Sequence, residues 1–92
     1  MNWQKLTPYQ RNVLVHRKVM QQPLATITRG TTPRYSENMH DAWRVVDWMV
    51  NLPSIKFMKW WDHSALWSYS EAAAAQAICI AALRACGMQI SL

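Results

Sequence analysis

The stretch from Tyr35 to Val50 carries one helical stripe with a start signal in front of it, and it restricts the fold more than any other segment. Met39, Ala42, Trp43, Val46, Met49 and Val50 follow at spacings of 3, 1, 3, 3 and 1, which is one continuous face of an α-helix. Ser36 is the expected N-cap, and Glu37 beside it suits the positive end of the helix dipole. His40, Asp41, Arg44 and Asp47 lie on or near the opposite side. Trp48 falls off the stripe and either reaches a second layer or is exposed. Leu52-Pro53-Ser54 ends the segment.

A face of that kind has to be covered, and 92 residues allow one domain, residues 1–92, in which to do it. A chain this short buries only roughly 60–65% of its unfolded surface, so marginal stability or self-association is expected to matter. The 51% hydrophobic content excludes a disordered chain. Six tryptophans are many for this length, and each large aromatic can bury on the order of 150–250 Å².

Two further helices and a small sheet complete the expectation. Thr7, Pro8 and Gln10 form a Thr-x-x-Gln capping box with proline at the first helical position. Tyr9, Val13, Val19 and Met20, with Leu14 or Val15, give that helix its apolar stripe, and Gln21-Gln22-Pro23 ends it. Residues 24–29 alternate weakly and read as a short strand, followed by a loop over 30–33. Residues 55–60 and 65–69 read as a β-hairpin around Trp61-Asp62-His63-Ser64. The last helix is capped by Ser70, runs through an alanine-rich stretch to Cys86 and stops at Gly87, leaving residues 88–92 as a frayed tail. The predicted order is α-β-α-β-β-α. That is an α+β fold with three helices packed on a small antiparallel sheet, an α/β/α-type sandwich.

No apolar run approaches the roughly 20 residues that span a bilayer, and the first residues lack a signal-peptide pattern. Cys79 and Cys86 sit two helical turns apart, about 10 Å, too far for a disulfide. Free thiols in a reducing compartment are expected, and with them a cytoplasmic location without membrane contact. The net charge of +5 favours acidic partners, or serves only to keep the surface soluble.

Three segments resemble one family. Tyr35-Ser36-Glu37-Asn38-Met39-His40-Asp41-Ala42-Trp43-Arg44-Val45-Val46-Asp47 is similar to the Tyr-Ser-x-x-φ-x-x-Ala-Trp-x-Val-Val-acid signature of the phage ABA sandwich domain. Ala77-Ile78-Cys79-Ile80-Ala81-Ala82-Leu83-Arg84-Ala85 resembles that family's closing helix, and Leu14-Val15-His16-Arg17-Lys18-Val19-Met20 its opening one. The chain departs after Met20, where Gln21-Gln22 stands in place of the family's usual glycine and aromatic. The resemblance spans residues 12–87. It implies an α/β sandwich and a small accessory protein of a bacteriophage or prophage, with no catalytic residues to transfer.

The residues themselves favour binding over catalysis. Three histidines and five acids are scattered, and His40 and Asp41, adjacent on a helix, point about 100° apart. Asp62-His63 falls in the expected turn, where aspartate is favoured for local geometry. No Cys/His spacing suits a metal, two glycines cannot build a phosphate loop, and no cofactor is expected. Lys56, Phe57, Lys59, Trp60, Trp61 and His63 interleave basic and aromatic side chains along the hairpin, which suits a partner surface as well as a core. Trp48 joins them as a candidate contact. A second basic group comprises Arg11, Arg17, Lys18, Arg29 and Arg34, read either as a solvated face or as an anion site. The leading expectation is a phage accessory protein that binds a host protein stoichiometrically, most concretely an anti-defence inhibitor such as an anti-CRISPR. A nucleic-acid- or nucleotide-binding module and a self-assembling structural protein, a homo-oligomer using Trp48, are the alternatives.

Overall fold

The computed structural model describes residues 1–21, 32–51 and 70–91. A single 3₁₀ turn, Trp3–Lys5, leads into three α-helices: α1 over Pro8–Lys18, α2 over Met39–Val50 and α3 over Glu71–Ala85. No β-strand occurs among the described residues; the one β-type contact there is an isolated parallel bridge between Asn2 and Ser91. The expected α+β sandwich is therefore corrected to a helical fold. The strand at 24–29 and the hairpin at 55–69 lie outside the described residues. Among the described residues three helices and no strand are what overturn the sandwich; α2 packs directly on α3, whose Ala74, Ala75, Ala81 and Ala82 are buried small side chains. Val45, Val46 and Met49 of α2 and Ile78, Cys79 and Leu83 of α3 fill one buried cluster with them.

The local start and stop signals decide the helix ends. At α1 the Thr7 hydroxyl accepts from the Gln10 amide at 3.2 Å, and the Gln10 carboxamide accepts from the Thr7 amide at 2.9 Å. The helix ends at Lys18, with the amides of Val19 and Met20 both donating to the Val15 carbonyl, and Gln21 adopts the left-handed region at φ 57°. That is the position where the resembled family has glycine, the one residue that takes this conformation without steric cost.

At α3 the Ser70 hydroxyl accepts from Ala73, as expected. The far end is a Schellman motif. Gly87 at φ 94° donates to the Arg84 carbonyl, and the next amide, Met88, reaches back to Leu83.

At α2 the cap moves. Asn38, not Ser36, accepts from the helix, taking the His40 amide at 2.8 Å. The Glu71 carboxylate accepts from the Met39 amide at 3.2 Å, so the first turn of α3 also helps to cap α2. Ser36 is buried instead, and both its amide (2.9 Å) and its hydroxyl (2.7 Å) donate to the Asn12 side-chain oxygen.

The buried seam of α2 also differs from the expected stripe. Ala42, Val45, Val46 and Met49 are inside, while Trp43 and Val50 are 41% and 56% exposed. The helix is turned by roughly 50° from the expected face, about half of one residue step. The last segment differs as well. Residues 88–91 are not frayed: Ile90 is buried, Arg84 donates to its carbonyl at 2.8 Å, and Ser91 exchanges backbone hydrogen bonds with Met1 and Trp3. These contacts seal Trp3, which is wholly buried.

Candidate partner-binding surface

The outward side of α2 presents His40, Trp43, Arg44, Asp47 and Val50 to solvent. Helical rotation puts Trp43 and Val50, seven positions apart, nearly in line, with the partly buried Met39 one turn before Trp43. On the other flank of this face a groove of about 480 Å³ is lined by Met20, Arg44, Asp47, Trp48 and Asn51. Trp48 is half-buried and packs against the core, so it reaches inward rather than standing free. Its indole nitrogen is buried and has no hydrogen-bond partner. The Arg44 guanidinium approaches Asp41 at 4.0 Å with its side chain 57% exposed, a surface pair that contributes about 0–1 kcal/mol. The Asn51 side-chain carboxamide donates to the Asp47 backbone carbonyl at 2.6 Å and closes that end of the helix.

The expected basic group does not form one site. Arg11 is committed to the fold: its guanidinium lies 4.9 Å from the Trp3 ring, donates to the Trp3 carbonyl through Nε and Nη2, and reaches Gln76 through Nη1. The Trp3 indole donates to the same Gln76 oxygen at 3.0 Å. Arg17 and Lys18 are exposed on the last turn of α1, where cations complement the helix dipole. Arg34 lies near the first turn of α1, in a separate groove of about 490 Å³ with Thr7, Pro8, Tyr9, Asn12, Thr32 and Glu37. The length of α1, about 15 Å, separates the two groups. Arg29 and the hairpin candidates Lys56, Phe57, Lys59, Trp60, Trp61 and His63 fall outside the described residues.

Two buried polar pairs join α1 to the segment before α2. His16 and Tyr35 share a 2.9 Å hydrogen bond through Nδ1 and the phenol oxygen, with ring centroids 5.9 Å apart. Burial pushes the His16 imidazole below its ordinary range; burial likewise raises the Tyr35 phenol, against the opposing charge of Arg44. Both groups are held neutral at physiological pH, and their contact fixes position. Beside them Asn12 accepts from Ser36 and donates to the Glu37 carboxylate at 3.0 Å. The Tyr-Ser pair of the resembled signature is thus a packing device on α1.

The two cysteines are free, as their spacing predicts, and burial raises both thiols above their ordinary values. No group of three or more His, Cys, Asp or Glu side chains that could hold a metal ion occurs among the described residues. No helix among them is long and apolar enough to cross a membrane. Sequence reasoning missed Trp43 and Val50 as surface residues because they fit the helical period of the core. It also missed Trp3, an isolated aromatic without periodicity. Comparison with protein-family models, curated proteins and solved structures gives no match to this chain.

Proposed function

We propose that this protein is a phage or prophage accessory factor that acts in the host cytoplasm by stoichiometric binding to a host protein, most concretely as an anti-defence inhibitor such as an anti-CRISPR. The outer face of α2 makes the contact. The observation that carries the binding reading is the exposure of Trp43 and Val50 on one line of a rigid helix. With Asp47 between them they stand at i, i+4 and i+7, the pattern by which a helix face inserts into a partner groove. Tryptophan is also the residue most enriched among binding hot spots. The phage assignment rests on the resemblance of the segments 14–20, 35–47 and 77–85, independently of the sandwich. No catalytic step is assigned.

The test is capture from bacterial lysate on the tagged chain, compared with a Trp43→Ala/Val50→Asp variant whose far-ultraviolet circular dichroism matches the parent. A host protein should be retained in equimolar amount by the parent and lost by the variant. Retention of the same proteins by both, or none above background, would remove the reading. Retained material destroyed by nuclease would replace it with nucleic-acid binding, and a solution mass above one chain without host protein would replace it with self-assembly.

A further inference from the structure

The indole nitrogen of Trp48 is an anomaly: a donor shut off from solvent with nothing to donate to. Buried donors without partners are rare in folded proteins because the lost hydration is not repaid, and each asks for an explanation. Trp48 is also a wall of the groove that holds Met20, Arg44, Asp47 and Asn51. In that groove the Arg44 guanidinium is more than half exposed, and its nearest acid, Asp41, is at the outer limit of an ion pair. Arg17 and Lys18 add exposed positive charge just before Met20, in a chain whose net charge is +5.

We infer that this groove receives an acidic segment of the partner protein, with one carboxylate seated against Arg44 and an acceptor from the same segment taking the Trp48 N–H. The inference rests on the proposed binding of a host protein and names the chemistry that partner presents. Asp47, on the groove wall, limits the site to a single carboxylate beside Arg44 rather than a run of phosphates. Trp48 is the one aromatic among the described lining residues, where a strand of stacked bases calls for several. Since the nitrogen is closed in the free chain, the indole turns toward the groove as the acceptor arrives. Its proton then changes environment, and the binding energy includes relief of the orphaned donor.

The experiment is a titration of the ¹⁵N-labelled full chain at low salt, following the Trp48 indole resonance, assigned by its loss in Trp48→Phe. The probe is an acetylated Glu-Leu-Glu-Leu-Glu peptide; the controls are the same peptide with glutamine for glutamate, and oligothymidylate. The Trp48 proton should move downfield with the acidic peptide only. Arg44→Gln should weaken the peptide by about 10-fold or more, as loss of a charge-assisted contact does. Asp47→Asn should tighten it. Both substitutions are at exposed positions, and unchanged resonances elsewhere report that the fold is kept. An unmoved indole, equal affinity for the glutamine peptide, or an Arg44→Gln variant that binds like the parent overturns the inference. A shift with oligothymidylate and none with the peptide also overturns it, in favour of nucleic acid. Trp43-dependent capture of a host protein with an unmoved Trp48 indole would overturn the groove assignment alone and leave the proposed function standing.

Discussion

Asn12→Ala should be among the most damaging single substitutions outside the apolar core. Asn12 is 4% exposed, and its side-chain oxygen is the acceptor for both the amide and the hydroxyl of Ser36, itself 2% exposed. Truncation leaves two buried donors at Ser36 with nothing to donate to. At about 1–3 kcal/mol for each orphaned group, the cost is about 2–6 kcal/mol. The lost hydrogen bond to the Glu37 carboxylate, on the exposed side of the network, adds little. A 92-residue domain commands about 5–14 kcal/mol in total, so the variant should sit near the edge of folding. Ser36→Ala is the control. It removes the hydroxyl but leaves the backbone amide paired, and should cost only about 1 kcal/mol. In the double variant one of the orphans no longer exists, so the two costs should not add. Urea unfolding followed by tryptophan fluorescence gives all four stabilities. An Asn12→Ala cost below that of Ser36→Ala, or strict additivity of the two, would refute this account of how α1 is tied to the start of α2.

Acid should destabilise the fold through His16. Its folded value is depressed below 6.5, so the unfolded chain takes up the proton first; stability is full above about pH 6.5 and falls as the pH drops below it, a loss that His16→Gln should remove from the pH dependence of the urea midpoint. Gln21→Gly should raise stability by a few tenths to about 1 kcal/mol by relieving the left-handed backbone, and Gly87→Ala should lower it by about 1 kcal/mol; thermal melts showing the opposite signs would contradict the positive φ angles at these two positions. At Gly87 the whole effect is conformational, because an added Cβ meets no atom within 4 Å. Cys79 should resist a thiol reagent in the native protein and react at once in denaturant, since burial both hides the thiol and suppresses the thiolate; native labelling of Cys79 as fast as that of a free cysteine would show that α3 is not seated as described.

Signals confined to a few neighbouring residues were legible before the structure. Thr7 with Gln10, Ser70 and Gly87 each act on amides or carbonyls within a turn of themselves, and each does so where expected. Ser36 and Asn38 are both competent caps, and the choice between them is made by Asn12, 24 positions away from Ser36. The seam of α2 was ambiguous for a similar reason. Val45 and Trp43 both extend the apolar period, and only packing against the rest of the core selects the side carrying Val45. The sheet is expected only over 24–29 and 55–69, outside the described residues, from short apolar alternation, a pattern that cannot by itself tell a strand from a buried helical segment. Of the candidate site, Trp48 was flagged for lying off the stripe, while Arg11 was misplaced because its stacking on Trp3 is a contact between elements rather than a pattern within one.

Trp3 is enclosed by Arg11 from α1, Gln76 from α3 and the backbone of Ser91. Trp3 is therefore tied to three segments far apart along the chain. During synthesis the bond from the Trp3 amide to the Ser91 carbonyl cannot form until residue 91 has left the ribosome, however early α1 forms. Closure of so long a loop comes late in folding.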